Sequence, residues 1–166
     1  MHFVIWIALA VVAVLLAARV GAFSGKAPAN IGVRDNKLKP PAKTPNSDSS
    51  QADLWPDAVQ KDNARIAPIA LVKTSAEGGA GGGKTTIAKI AAVINDLPGS
   101  QIVEQRDDYL YAQFTTPLMR FTDDVEFWFD PAANVIQVRS ASRVGRKDFG
   151  VNRARVENIR ARLGNR

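Results

Sequence analysis

Sixteen consecutive apolar residues, Phe3 to Ala18 (FVIWIALAVVAVLLAA), constrain this chain more than any later feature. A helix over that run has no polar face, so it suits neither a protein surface nor a one-sided core contact. At 1.5 Å per residue it is about 24 Å long, a little short of the roughly 30 Å hydrocarbon core of a bilayer. Extension to Phe23 takes in Arg19, whose aliphatic stem can carry its charge to the headgroups. Residues 1–23 are therefore expected to form a transmembrane or signal-anchor helix, with residues 3–23 as the membrane contact. Val20-Gly21-Ala22 offers a cleavage site, but the α-amine is the only cation ahead of the run, which favours a retained anchor. Arg19, Lys26, Arg34, Lys37 and Lys39 come after the run, and the positive-inside rule would keep the C-terminal domain in the cytoplasm. A signal anchor with a short uncharged leader exports that domain instead.

Beyond the anchor, residues 24–54 are rich in Pro, Ser, Asn, Lys and Asp, and Pro28, Pro40, Pro41 and Pro45 interrupt any regular element. This segment reads as an extended linker, ordered only if it lies on the domain. Residues 55–166 read as an α+β domain containing a glycine-rich loop, Glu77 to Gly83. Ile87, Ile90, Ala91, Ile94 and Leu97 form one helical stripe, stopped by Pro98-Gly99. Four strands are predicted at Gln101–Arg106, Tyr109–Thr115, Asp123–Phe129 and Val135–Ala141, with Asp107-Asp108 as a tight turn between the first two. A final helix is expected from Asn152 to Leu163. Helix, four-strand antiparallel meander, helix is an α+β order.

The third and fourth strands predict their own register. With Pro131–Asn134 as the loop, Phe129 faces Ile136, Phe127 faces Val138 and Val125 faces Ser140. The other face pairs Trp128 with Gln137 and Glu126 with Arg139. A slip of one residue would destroy both the apolar face and the charge pairing.

The chain has no cysteine, and its single histidine is His2. Thiolate metal sites, Cys nucleophiles and His-based triads are therefore excluded. Three constellations remain. Gly78 to Thr85 fits G-x-x-x-x-G-K-[ST], with Gly78, Gly83, Lys84 and Thr85 at the fixed places of a phosphate cradle. Against nucleotide binding stand the hairpin-like strands downstream, Pro68 in the preceding apolar stretch, and too little chain for a parallel sheet with crossovers. Asp123-Asp124-Val125-Glu126 places Asp124 and Glu126 on one strand face and Asp123 on the other. Two such carboxylates suit acid–base work or a hard cation, or pairing with nearby arginines; too few oxygens gather here for a metal site. From Arg139 onward there are nine Lys/Arg against Asp148 and Glu157, whereas twelve of the sixteen acids lie between Asp53 and Asp130. Within that basic tail, Arg139, Ser142, Arg143, Asp148, Asn152 and Arg153 surround a strand-to-helix corner, built either to hold an anion or to brace the fold. No recognition helix, aromatic platform or zinc signature accompanies the charge, so no nucleic-acid partner is expected.

Met119-Arg-Phe-Thr-Asp-Asp-Val-Glu-Phe127, Arg139-Ser-Ala-Ser-Arg-Val-Gly145 and Asp148-Phe-Gly-Val-Asn-Arg153 together resemble the family known as domain of unknown function 1499. Pro45-Asn46 with Ser49-Ser50-Gln51 is similar to that family's leading motif, and the resemblance runs from about Ile31 to Leu163. It implies a small bacterial envelope or membrane-associated domain without an established activity, and it supplies no catalytic residues. It also favours the exported orientation. Many relatives carry cysteines near the positions of Ala42 and Ser47 and an apolar residue at Asp48, so any thiol role is absent here.

The expected protein is thus a single-pass protein of the bacterial inner membrane with a periplasmic α+β domain. Its expected role is a non-catalytic binding or interaction module, with an anionic ligand or lipid headgroup as partner and no cofactor or metal. The competing readings are a hydrolase using Asp124 and Glu126, and nucleotide binding through Gly78–Thr85.

Overall fold

The computed structural model describes residues 2–72 and 80–164. Helix α1, His2–Arg19, is long and apolar enough to cross a membrane by length and composition. It lies almost wholly exposed, with Ala18 as its buried residue. The domain continues as β1 (Ser47–Ser49), a 3₁₀ turn (Ala52–Leu54), α2 (Lys61–Ala64), β2 (Ile69–Ala70) and α3 (Ala80–Asn95). Then come β3 (Ser100–Gln105), β4 (Tyr109–Thr115), β5 (Thr122–Asp130), β6 (Val135–Ser142) and α4 (Val151–Gly164).

The β3–β6 meander and its two flanking helices match the α+β order read from the pattern. Two short strands join it: the sheet runs β1-β6-β5-β4-β3, and β2 also pairs antiparallel with β6. The β5–β6 register is the one dictated by the alternation, with Phe129 opposite Ile136, Phe127 opposite Val138, Val125 opposite Ser140 and Glu126 opposite Arg139.

One sheet face packs on α3 and α4. Ile87, Ile90 and Ile94 of α3 meet Leu110, Phe127, Phe129, Ile136 and Val138, and Val156, Ile159 and Leu163 of α4 complete the core. Each such side chain contributes roughly 1.5–3 kcal/mol on full burial, so this layer is the main source of stability.

The opposite face carries Tyr109, Tyr111, Trp128, Glu126 and Arg139, and it is buried as well. Its cover is the segment read as a linker. Ile31, Val33 and Leu38 pack on Tyr109, Tyr111 and Trp128. A two-residue turn at Asp35 and Asn36, both with positive φ, folds Arg34 back onto Lys37. Gln51 pins this hairpin, accepting from Leu38 N at 2.8 Å and donating to Asn36 O at 3.1 Å. The prolines do preclude helix, as the pattern implies. The segment orders nonetheless, because side chains and the sheet supply the hydrogen bonds that its backbone cannot make internally.

The glycine-rich loop is a second departure. Glu77, Gly78 and Gly79 lie outside the described residues, but Gly81, Gly82 and Gly83 already belong to α3. Packing overrides the low helix propensity of glycine. A Cβ on Gly83 would fall 2.4 Å from the Phe129 ring, so this position brings helix and sheet into direct contact.

Candidate functional site

The sheet sorts the candidate residues onto its two faces. Asp124, Glu126, Arg139 and Arg143 project toward the cover segment. Asp123, Ser142 and Asn152 gather at the α4 side.

On the covered face Glu126 has no exposed surface. Its Oε1 accepts the Gly32 N–H at 2.8 Å and the Tyr109 hydroxyl at 2.9 Å. Among the described residues its Oε2 accepts no hydrogen bond, and Arg139 Nη1 stands 3.8 Å away in an ionic contact. Burial pushes the Glu126 carboxyl above its ordinary range, against the pull of Gly32, Arg139 and Tyr109. Burial also lowers the Arg139 guanidinium, against the pull of Glu126 and Asp124. Arg139 Nε donates to Pro40 O at 3.2 Å, so the cover holds both partners.

Next to this pair, Arg143 grips Asp124 with two donors, Nε to Oδ2 at 2.8 Å and Nη2 to Oδ1 at 2.7 Å. The Tyr111 hydroxyl donates to Asp124 Oδ1 at 2.5 Å. The hydrogen bond to Asp124 raises the Arg143 guanidinium further, while burial and the Asp124 contact raise the Tyr111 hydroxyl. The paired donors of Arg143 fix Asp124 in one orientation.

On the helix face Asn152, the second residue of α4, is fully buried. Its Nδ2 points at Asn46 O, Ser142 Oγ and Asp148 Oδ2 at 3.1, 3.0 and 2.8 Å. Its Oδ1 accepts from Ser140 Oγ at 2.5 Å and Arg155 Nη1 at 2.7 Å. Arg155 continues to Asp123 Oδ2 at 2.5 Å. Asp148 caps α4, accepting from the N–H groups of Gly150 and Asn152. Burial would raise the Asp148 carboxyl, but those N–H donors and the Asn152 amide outweigh it and hold the pKa below its usual value.

Arg153 stands apart from both clusters. It pairs with Asp48 at 2.6 Å and donates to the carbonyls of Asn63 and Arg65. Burial raises Asp48 to about 6 in spite of Arg153. Beside this pair a polar recess of about 570 Å³ opens between Pro45, Gln60, Asn63, Lys147 and Gly150. Much of the basic tail is thus engaged internally: Arg139, Arg143, Arg153 and Arg155 hold carboxylates, and Arg160 donates to Ala67 O and Pro68 O.

The remaining candidates sit at the far end of the sheet. Lys84 pairs with Asp107 at 3.0 Å on the surface, and Thr85 lies in the second turn of α3. Gly78 lies outside the described residues. The strand ahead of this run, β2, is antiparallel to β6, unlike the parallel strand of a phosphate cradle. Asp130 spends its carboxylate on the N–H groups of Ala132 and Ala133 and on Gln137. Among the described residues no group of three or more His, Cys, Asp or Glu converges as a metal site.

A profile for proteins of unknown function, DUF1499, matches residues 37–163. The chain belongs to the DUF1499 family. The DUF1499 match starts at Lys37, inside the cover segment, so Leu38 and strand β1 belong to the same unit as the sheet. No curated protein and no solved structure matches the chain. Residues that sequence reasoning missed are Gly32, Asn46, Asp48, Tyr109, Tyr111 and Arg155. The two tyrosines carried a readable signal, since they alternate with Leu110 onto the Glu126 face. Gly32, Asn46 and Arg155 reach their partners across long stretches of chain that no local pattern encodes.

Proposed function

We propose that this DUF1499 chain is a single-pass protein of the bacterial inner membrane, held by α1, whose periplasmic domain binds a ligand and does not catalyse a reaction. One observation supports the non-catalytic reading above others. Glu126, the carboxylate best placed for acid–base work, is sealed beneath the cover and committed to Gly32 and Tyr109. A general acid must reach substrate within hydrogen-bond distance, and Asp124 is occupied in the same way by Arg143 and Tyr111. The bury-and-pair pattern is that of a braced scaffold. The ligand class it suits is a small anion or a lipid headgroup, received at the recess where exposed Lys147 supplies positive charge beside the Arg153–Asp48 pair and the Asp148 cap.

Three measurements test this. A phosphatase fused after Arg166 is active only if the C-terminus is exported, and an inactive fusion sinks the periplasmic assignment. Calorimetric titration of the full chain with inorganic phosphate, repeated on Lys147→Ala, reads the recess. Turnover in a panel of ester, phosphoester and glycoside substrates that Glu126→Gln abolishes would replace binding by hydrolysis.

A further inference from the structure

The end of the sheet that receives the anchor carries an apolar and basic rim. We infer that this rim rests on the bilayer that α1 crosses, with its apolar side chains among the headgroups and its cations on anionic lipid phosphates. The inference rests on reading α1 as a membrane anchor and adds where the domain sits on that membrane.

Antiparallel pairing brings the β4–β5 turn, residues 116–121, to the same end as the β6 exit, residues 143–150, and the start of α4. The chain leaving α1 arrives there. The Phe23 ring meets Phe121 edge-on, with centroids 6.4 Å apart. Gly25 lies so close that a Cβ would fall 2.7 Å from Arg143 Cβ and 2.8 Å from Val144 Cγ1. Arg19 and Phe23 are four residues apart, which spans about 14 Å at most. Hydrogen bonds from Gly21 N to Ala18 O and from Ser24 N to Gly21 O fold that stretch back on itself. The rim is therefore tethered within about 14 Å of the end of α1, short enough for its cations to meet the potential of an anionic surface.

The rim is also unusually apolar. Eight large apolar side chains are exposed among the described residues outside α1, and five of them lie at this end: Val20, Leu118, Phe121, Phe149 and Val151. Leu118 is 67% exposed and Phe149 93%. Scattered exposed apolar residues are ordinary in a soluble protein, but a cluster of them is not. The turns that present them place Arg120 and Phe149 at φ values of 58° and 54°.

Charge follows the same division. Lys26, Arg120, Arg146 and Lys147 are exposed on the same loops, and none of them forms an ion pair among the described residues. The carboxylates at this end are largely engaged by the fold: Asp148 caps α4, Asp123 and Asp124 at the start of β5 pair with Arg155 and Arg143, and Asp96 stands at the exit of α3. The opposite end carries Glu104, Asp107, Asp108 and Asp130 against the two cations Lys84 and Arg106, which pair with Asp107 and with Glu104 and Asp108. The molecule is thus polarised, basic and apolar toward its anchor and acidic away from it. An anionic lipid surface complements that pattern.

The absence of cysteine makes the test direct. Full-length Leu118→Cys and Ala132→Cys, each labelled with an environment-sensitive dye, are reconstituted into phosphatidylcholine vesicles with and without phosphatidylglycerol. Flotation reads the anchor, and quenching by a headgroup-proximal lipid quencher reads the docking. The expected result is flotation of both, with the label at position 118 quenched about threefold more than that at 132 in anionic vesicles. Arg120→Gln with Arg146→Gln, added to the Leu118→Cys chain, lowers that ratio without changing flotation. Equal quenching at 118 and 132 in floating protein overturns the docking and leaves the anchor intact. Failure to float removes the anchor reading, and the docking with it.

Discussion

The backbone N–H of Gly32 donates to Glu126 Oε1 at 2.8 Å, across 94 positions of sequence. It joins a segment without regular structure to a buried carboxylate at the centre of the sheet. Glu126→Gln keeps the shape and the acceptor but turns an amide N–H₂ toward Arg139. Removing one member of a buried ion pair leaves the other uncompensated, at a cost of roughly 3 kcal/mol. Pairing Glu126→Gln with Arg139→Met restores part of that loss. Chemical denaturation of the four proteins yields the coupling. Single variants within about 0.5 kcal/mol of the parent would show that the ion pair does not brace this face.

Adjacent glycines in α3 are expected to respond in opposite directions. At Gly83 a Cβ meets three atoms of the Phe129 ring between 2.4 and 2.7 Å, so the whole ring or the helix must move. Gly83→Ala therefore destabilises by about 1–3 kcal/mol. At Gly82 the nearest atom is the end of the Leu71 side chain at 3.2 Å, which can rotate away. Gly82→Ala then gains helix propensity, up to roughly 1 kcal/mol. Thermal melts of the two variants decide the point, and equal changes in midpoint would mean that Gly83 is not the contact between helix and sheet.

The same residues explain what could and could not be read from the chain. The β5–β6 register was legible because Phe127 and Phe129 alternate with Glu126 and Trp128, and a one-residue slip would mismatch both faces. Local periodicity also revealed α3, through Ile87, Ile90 and Ile94. It missed the beginning of α3, because Gly83 is helical through its contact with Phe129, 46 positions away by numbering. The cover segment carries no periodicity at all. It is fixed by single bonds such as Leu38 N to Gln51 and Asn46 Nδ2 to Gly145 O. For the site, the pairing of Glu126 with Arg139 came from strand geometry. The partner of Asp123 did not, because Arg155 approaches from a helix and not from the neighbouring strand.

Asp48 should give the domain a pH-dependent stability of unusual sign for a carboxylate. Its ordinary value is 3.8, and burial raises it to about 6 in the folded protein. Below about pH 4 the group is protonated in both states and costs nothing. Between about pH 4 and 6 the unfolded chain has lost the proton that the folded chain still holds, so stability falls as pH rises. Above about pH 6 the penalty is complete, and each tenfold difference in proton affinity between the two states corresponds to about 1.4 kcal/mol. Asp48→Asn removes this slope, while Arg153 keeps the carbonyls of Asn63 and Arg65. Denaturation midpoints from pH 4 to 7 for the two proteins are the measurement. Parallel curves would show that Asp48 is hydrated.

Asn152 is expected to be the most sensitive polar position on the helix face. It is wholly buried, and it joins β6 through Ser140 and Ser142, the cover through Asn46 O, and the α4 cap through Asp148. Asn152→Ala leaves these groups without their buried partner, at roughly 2–4 kcal/mol. Asn152→Asp is worse than its near-identical shape suggests. It replaces the donor facing Asp148 Oδ2, now 2.8 Å away, with a second carboxylate oxygen. Raising the pH from 5 to 8 should therefore destabilise Asn152→Asp relative to Asn152→Ala. Hydrogen exchange should show α4 opening first in both variants, because the cap and the strand contacts fail together. Protection that is lost uniformly would mean the network serves the whole sheet and not the docking of α4.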